Sequence, residues 1–171
     1  MEILVVTGMS GAGKSQAANV LEDMGFYCIE NMMPKLLPAF VELLTQSREE
    51  HEKAAVVIDV RSGYLFKDFE QAVETIKKQG HTCKILFMNA SDDVIRLRYK
   101  ETRRRHPLAA KTDDSVKKAI LLERELLEPA REKADFIIDT SNLKAQNLRK
   151  RINEMFSESS SGSMKIPKTF R

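Results

Sequence analysis

The chain has 171 residues, which suffices for one ordinary domain with a buried core and is too short for two domains of typical size. Hydrophobic residues make up 42% and charged residues 31% of the sequence, and no stretch approaches the ~18 apolar residues that a membrane span requires, which excludes a membrane protein. The formal net charge of +3 is modest and the first residues lack the basic segment of a signal peptide, so we expect a cytoplasmic protein without a membrane partner.

Apolar runs of strand length recur along the chain and are dense in Val, Ile, Leu and Phe. They lack polar alternation, which favours parallel strands that are buried on both faces. The predicted strands cover residues 3–6, 26–29, 54–60, 83–88 and 136–138. The segments between them carry helix capping and stop signals, and the predicted helices cover residues 14–23, 34–46, 65–79, 92–102, 113–127 and 143–156.

Strands and helices alternate along the chain, which predicts an α/β fold with a doubly wound, mostly parallel five-stranded sheet and helices on both of its faces. The fifth helix is expected to stop before Pro129. From Ser157 the sequence becomes rich in serine and resembles a linker. We therefore expect one domain over residues 1–156, followed by a linker or a truncated tail over residues 157–171.

A glycine-rich loop (residues 8–15) follows the first predicted strand and opens directly into a helix. Its spacing is that of the Walker A or P-loop motif, in which glycines let backbone N–H groups converge on phosphate oxygens at the positive end of a helix. Lys14 is expected to be a solvent-accessible charge that reaches the β- and γ-phosphates and acts in catalysis, and Ser15 to place its hydroxyl on Mg²⁺. The predicted triphosphate-binding residues are Gly8, Met9, Ser10, Gly11, Ala12, Gly13, Lys14 and Ser15.

A second candidate lies at the end of the third predicted strand, where ligands of open α/β sheets bind. The Asp59 carboxylate can accept hydrogen bonds there from Ser15 or from Mg²⁺-bound water, so we predict a catalytic and metal-side role for it. The alternative is a helix cap or a surface acid. Arg61 is expected to face the same crevice.

Arginines are concentrated in residues 96–107, where Arg103, Arg104 and Arg105 are consecutive. A lid that delivers Arg103 and Arg104 over a bound triphosphate would neutralise charge that develops during phosphoryl transfer, so we predict a catalytic role for both. The alternative is a solvated basic helix end, which suits the helix dipole without any ligand.

Several segments together resemble the RapZ-like family, the RNase adapter and nucleotide-binding proteins of bacteria. Beside the glycine-rich loop, the most specific are the run Arg-Arg-x-His-Pro-Leu at residues 103–108 and Asp-Thr-Ser at residues 139–141. The other segments that carry the resemblance are residues 22–28, 58–61 and 134–138.

The resemblance implies a P-loop fold of the nucleoside-kinase-like type, with ATP bound at residues 8–15, GTP bound at a second segment, Mg²⁺, and weak hydrolysis of both nucleotides. The second segment comprises Asp59, Val60, Arg61 and Ser62. Ser62 stands where the family usually has Asn, which removes an amide able to recognise a base. Family members continue into a further domain that carries RNA binding, so RNA is expected as a partner only through a domain that residues 1–171 do not include.

The leading hypothesis is a regulatory nucleotide-binding protein with ATPase and GTPase activity. One alternative is a small-molecule or nucleoside monophosphate kinase, since such enzymes also use a P-loop, lid arginines and an Asp-x-Arg strand end. Another is an RNA-binding adapter whose nucleotide site senses metabolites. A homo-oligomer is compatible with each of these.

Overall fold

The computed structural model describes residues 1–49, 51–60 and 66–157. Its centre is a five-stranded sheet of order β2-β3-β1-β4-β5 in which every neighbouring pair is parallel. The strands are β1 (Glu2–Gly8), β2 (Tyr27–Ile29), β3 (Lys53–Val57), β4 (Thr82–Asn89) and β5 (Phe136–Asp139). The first strand therefore lies in the middle of the sheet, and the two shortest strands form its edges.

Helices cover both faces of this sheet, as the alternation of elements predicts. On one face α1 packs against α6, and on the other α3 packs against α2 and α5, and α5 against α4. The helices are α1 (Lys14–Asp23), α2 (Leu37–Gln46), α3 (Phe66–Lys78), α4 (Asp92–Thr102), α5 (Val116–Lys133) and α6 (Ala145–Phe156). Short 3-10 turns at Pro34–Leu36 and Ala109–Lys111 precede α2 and α5. The predicted doubly wound α/β fold is confirmed.

The core lies on both sides of the central strands. Ile3, Leu4, Val5 and Val6 are consecutive in β1 and are at most 2% exposed, so the strand is buried on both faces. Burial of one such side chain contributes about 1.5–3 kcal/mol, which explains why an unbroken apolar run forms a central parallel strand. Within the described ranges, none of the helices combines the length and the apolar composition that a bilayer crossing needs.

The third strand is shorter than its apolar run. It was predicted over residues 54–60, but the ladder ends at Val57, and the last residue paired with β2 is Val56. Ile58 N still donates to Val6 O at 2.9 Å, and the chain then leaves the sheet. Asp59 and Val60 consequently follow the strand instead of ending it.

The fifth helix extends past the proline that was predicted to end it. It runs from Val116 to Lys133 and contains Pro129, so the predicted end at residue 127 is wrong. Pro129 removes one helical N–H, but Leu127 and Ala130 on either side are fully buried, and their packing against the core keeps the chain helical.

The start of the same helix was predicted too early. Asp113 and Asp114 have positive φ angles of 52° and 57°, which is not helical backbone. Ser115 is the N-cap, and its side chain accepts a hydrogen bond from Lys118 N. The start of α2 was also predicted three residues early, since Pro34–Leu36 form a 3-10 turn before it, and the remaining helix ends agree with the predictions within two residues. The tail predicted over residues 157–171 lies, apart from Ser157, outside the described part of the chain.

Candidate functional site

A cleft with a volume of about 770 Å³ opens at the carboxyl-terminal edge of the sheet. Five parts of the chain line it: the glycine-rich loop, the segment after β2, the segment after β3, the end of α4, and the segment that joins β5 to α6. Beside residues 10–16, the lining side chains include Glu30, Asn31, Asp59, Arg98, Tyr99, Thr102, Arg104, Thr140, Leu143, Lys144 and Leu148. The crevice expected from the strand order is therefore present, and the glycine-rich loop forms part of its wall.

Glycine is required in the loop for two different reasons. Gly8 ends β1 beside β4, and a Cβ there would lie 2.0 Å from Met88 O, so only glycine permits this approach of the two strands. Gly13 is the N-cap of α1 and has a φ of 97°, a conformation that residues with a side chain rarely adopt. The glycines at positions 8 and 13 thus stand where a side chain would clash or would strain the backbone.

Lys14 is buried, contrary to the prediction of a solvent-accessible charge. Its side chain is folded back over the loop, leaving the residue 9% exposed. The ammonium group donates to Gly8 O at 3.0 Å and to Met9 O at 3.1 Å. An ammonium group has three donors, and the two loop carbonyls accept from two of them while the apolar stem is removed from water. Lys14 nevertheless lines the cleft.

Two residues from distant parts of the chain hold the next carbonyls of the loop. Arg98, on α4, donates to Gly11 O at 2.7 Å and to the carbonyl and hydroxyl oxygens of Thr140 at 2.7 and 3.1 Å. Thr140, directly after β5, donates through Oγ1 to Ala12 O at 2.8 Å. Sequence reasoning did not single out Arg98. Arg98 is next to Tyr99, which lies on the buried face of α4, and this position was the one indication in the sequence that Arg98 could point towards the interior.

The carbonyl oxygens of Gly8, Met9, Gly11 and Ala12 thus accept hydrogen bonds from groups of the protein itself. The first N–H groups of α1 have no acceptor within the helix, as is general at a helix start. Such groups, together with the helix dipole, make a positive end that favours an anion. The cleft-facing end of α1, beginning at Lys14 and Ser15, therefore has the properties of a phosphate receptor.

A buried carboxylate supports the loop from the side opposite the cleft, and no sequence pattern indicates it. Glu123, on α5, is fully buried and accepts from Ser10 N at 2.8 Å and from Ser10 Oγ at 2.5 Å. Burial disfavours the charged form, but the contacts with His106 and Ser10 and the charge of Lys14 outweigh it and hold the pKa of Glu123 below its ordinary value. A glutamate within an amphipathic helix is usually a solvated residue, so only the fold identifies this one.

His106 lies next to the same carboxylate. The residue is 2% exposed, and its Nδ1 accepts a hydrogen bond from Leu108 N at 3.0 Å, which assigns the ring hydrogen of the neutral form to Nε2. Nε2 is 3.5 Å from Glu123 Oε1, at the outer limit of hydrogen-bond distance, so the contact is mainly electrostatic. The ring also packs against Tyr99, with centroids 5.2 Å apart.

The carboxylate that contacts Ser15 is Glu30. Ser15 Oγ donates to Glu30 Oε2 at 3.2 Å, whereas Asp59 was predicted to lie beside this hydroxyl. Both carboxylates line the cleft together with Ser15. These are hard oxygen ligands of the kind that Mg²⁺ takes, and Mg²⁺ normally completes its shell with water and phosphate oxygens instead of an all-protein cage. Among the described residues, no group of three or more His, Cys, Asp or Glu side chains is placed to hold a metal ion.

The consecutive arginines point in different directions. Arg104 lines the cleft, whereas Arg105 donates to Asp114 through Nε at 3.1 Å and through a terminal nitrogen at 2.7 Å. Arg103 has a left-handed φ of 52° at the C-cap of α4, and it is absent from the described cleft wall. Of the three consecutive arginines, Arg104 alone lines the cleft, and Arg98 of α4 lines it as well.

The remaining predicted residues belong to the segment after β3. Val60 is buried, at 6% exposure. Arg61 and Ser62 lie outside the described residues.

Solved structures of other proteins share this fold. YorR protein from Bacillus subtilis, in complex with phosphorylated GDP, has a TM-score of 0.61 at 14% identity over 95% of this chain and 99% of that one. Shikimate kinase from Bacteroides thetaiotaomicron has a TM-score of 0.59 at 18% identity over 91% of this chain and 98% of that one. At such low identity the likeness shows the fold alone, and it confirms the predicted kinase-like P-loop architecture.

Closer relatives are found among curated sequences. A protein from Caldicellulosiruptor saccharolyticus is 48% identical over 157 residues, and one from Heliobacterium modesticaldum is 46% identical over 156 residues. Both are named nucleotide-binding protein, and the matches cover 54% and 51% of them, so this chain spans about half the length of the curated relatives it matches. The family model of the RapZ-like N-terminal domain matches residues 1–160, and the chain therefore belongs to the RapZ-like family.

Proposed function

We propose that this chain binds ATP or GTP with Mg²⁺ in the cleft and hydrolyses the bound nucleotide slowly, as part of a regulatory protein. The observation that carries the proposal is the arrangement of the glycine-rich loop. Lys14, Arg98 and Thr140 hold its carbonyl oxygens, and the N–H groups that begin α1 remain for an anion. The cleft volume of about 770 Å³ lies within the usual range for a small-molecule ligand.

The polar groups along the cleft fit the parts of a Mg²⁺-nucleotide. The hydroxyl of Ser15 and the carboxylates of Glu30 and Asp59 suit a hydrated Mg²⁺ beside the phosphates. The guanidinium of Arg104 suits the negative charge of the terminal phosphate. An Asp59 carboxylate can also accept from the N–H donors of guanine, which would favour GTP over ATP if the base lay on that side.

A cytoplasmic location is supported by the cysteines. The sequence has two, Cys28 and Cys83, and both are free thiols. Burial raises the pKa of each to about 11, so both stay protonated. Free thiols, here one partly buried and one buried, are typical of proteins in a reducing compartment.

Calorimetry with ATP and GTP, each with and without Mg²⁺, tests the proposal. Because Lys14 is buried, Lys14→Met is a better variant than Lys14→Ala: it keeps the apolar stem and removes the charge. We expect Lys14→Met to lose most triphosphate affinity, whereas Lys150→Met, on the exposed face of α6, should bind like the wild type. A wild-type protein that binds neither nucleotide, or a folded Lys14→Met variant with unchanged affinity, would contradict the proposal.

A kinase that phosphorylates a small acceptor is the second candidate. It is favoured by the polar groups of Glu30, Asn31 and Asp59 on the Ser15 side of the cleft, where they could hold the hydroxyl of an acceptor. The test is phosphate release from ATP and GTP in the presence of a panel of nucleoside monophosphates and sugars. Turnover that depends on one acceptor, with a phosphorylated product, would favour the kinase over slow hydrolysis.

A further inference from the structure

The strongest unexplained feature is the ionisable group behind the glycine-rich loop. Glu123 is fully buried on α5, and its two carboxylate oxygens take two different hydrogens of a single residue, the N–H and the hydroxyl of Ser10. A charge is costly to bury unless hydrogen bonds and opposite charges compensate it, and an apolar residue would fill the space at less cost. The position therefore requires an explanation beyond core packing.

The contact with Ser10 has a direct effect on the loop backbone. Ser10 N donates to Glu123, so this N–H points to the interior and not into the cleft. On the cleft side of the same loop, the carbonyls of Gly11 and Ala12 are bound by Arg98 and Thr140. The loop is thus held from both sides, and Glu123 provides the contact from the side of α5.

The same carboxylate also contacts the arginine segment, which we define as residues 103–106. His106 Nε2 lies 3.5 Å from Glu123 Oε1, and the Nδ1 contact with Leu108 N sets the orientation of the ring. Arg104, two residues earlier, lines the cleft. One buried side chain therefore connects the loop that would bind the phosphates with the segment that supplies an arginine to them.

We propose that Glu123 is a positioning residue that couples the glycine-rich loop to Arg104 through Ser10 and His106. The cleft side of this coupling rests on the nucleotide site proposed above. In this arrangement the contribution of Arg104 to nucleotide binding depends on Glu123, although the two side chains belong to different elements and Glu123 does not touch the nucleotide.

The first experiment needs no nucleotide. Glu123→Gln can keep both contacts with Ser10, because the amide oxygen accepts from Ser10 N and the amide nitrogen donates to Ser10 Oγ, but it replaces charge-assisted hydrogen bonds by weaker neutral ones. Hydrogen exchange of the free protein should then be faster in both the glycine-rich loop and the arginine segment, and unchanged in β4 and α3. Glu125→Gln, an exposed site on the same helix, should change neither.

A uniform acceleration throughout the sheet would show that Glu123 serves only global stability, and it would overturn the proposal. Acceleration in the loop alone would also overturn it, because the coupling to the arginine segment would be missing. If Glu123→Gln does not fold, His106→Gln takes its place. That variant removes the imidazole between Glu123 and the arginine segment but leaves Ser10 and Glu123 in place, and the hydrogen-exchange rates of the glycine-rich loop and the arginine segment are again compared with the wild type.

The second experiment is a double-mutant cycle on Mg²⁺-ATP and Mg²⁺-GTP affinity with Arg104→Ala, Glu123→Gln and the double variant. If Glu123 positions Arg104, the loss of affinity caused by Arg104→Ala should be smaller in the Glu123→Gln background than in the wild type. We expect the two losses to differ by a factor of about five or more. Equal effects in both backgrounds would overturn the coupling. A wild type without nucleotide affinity would instead contradict the proposed function, while the exchange experiment would still decide whether Glu123 couples the two segments.

Discussion

The hydroxyl of Thr140 donates a 2.8 Å hydrogen bond to Ala12 O and so joins the end of β5 to the glycine-rich loop, 128 residues earlier in the chain. The same hydroxyl accepts from Arg98 at 3.1 Å. Both contacts are at least partly buried, so removing the hydroxyl leaves polar groups without a partner.

Thr140→Val should destabilise the protein by about 1–3 kcal/mol, because it keeps the side-chain shape and leaves Ala12 O and the Arg98 guanidinium short of a partner. Urea unfolding measures the change. Thr75→Val is the matched control, since the Thr75 hydroxyl donates to a carbonyl on an exposed helix surface, and its effect should stay within about 0.5 kcal/mol. Equal effects of the two variants would show that the contact with Ala12 is not important for stability.

The buried carboxylate of Glu123 should make stability dependent on pH. Its pKa is held below the ordinary value of 4.5, so the ionised group stabilises the folded state fully above about pH 4.5 and loses this contribution as the pH falls through the lower folded-state pKa. The difference in unfolding free energy between wild type and Glu123→Gln should therefore be constant near neutral pH and shrink below about pH 4.5. Urea unfolding across this range measures it, and a difference that grows on acidification would contradict the assignment.

Arg104 and Arg105 should differ although they are neighbours in sequence. Arg104 lines the cleft, so Arg104→Ala should weaken nucleotide affinity, and it should lower the hydrolysis rate by a larger factor if its contact with the phosphate strengthens in the transition state. Arg105 forms an exposed ion pair with Asp114, and Arg105→Ala should change stability by no more than about 1 kcal/mol and leave hydrolysis unchanged. Phosphate-release assays at saturating nucleotide compare the two variants, and equal losses would argue for a nonspecific charge effect.

The two cleft carboxylates should be separable by their metal dependence. Glu30→Gln, which alters the partner of the Ser15 hydroxyl, should keep metal-free nucleotide affinity and lose most of the gain that Mg²⁺ provides. Asp59→Asn should do the same if Asp59 orients metal-bound water, but should lower GTP affinity alone if it contacts guanine. Four titrations, ATP and GTP with and without Mg²⁺, distinguish these outcomes. Glu22→Gln on the exposed face of α1 serves as control.

Local sequence determined the features that depend on neighbouring residues. The glycine-rich loop was predictable because its backbone needs glycine at given positions and because the strand before it and the helix after it are adjacent in the chain. The parallel sheet was predictable because strands buried on both faces need unbroken apolar runs. Pro129 shows the limit of such signals, since packing of the residues beside it outweighs the local tendency of proline to end a helix.

Only the tertiary structure decided which side chains surround the loop. Arg98, Glu123 and Thr140 are 87, 113 and 128 residues from their loop partners, and each stands in a stretch where a polar residue would also suit a surface or a helix cap. The direction of the Lys14 side chain likewise depends on the carbonyls that the folded loop presents. Arg104 and Arg105 contact different surroundings because of the orientation of the segment after α4. The physical reason is that burial and hydrogen-bond partners are properties of the assembled elements, whereas a sequence pattern records only the period and local chemistry of each element.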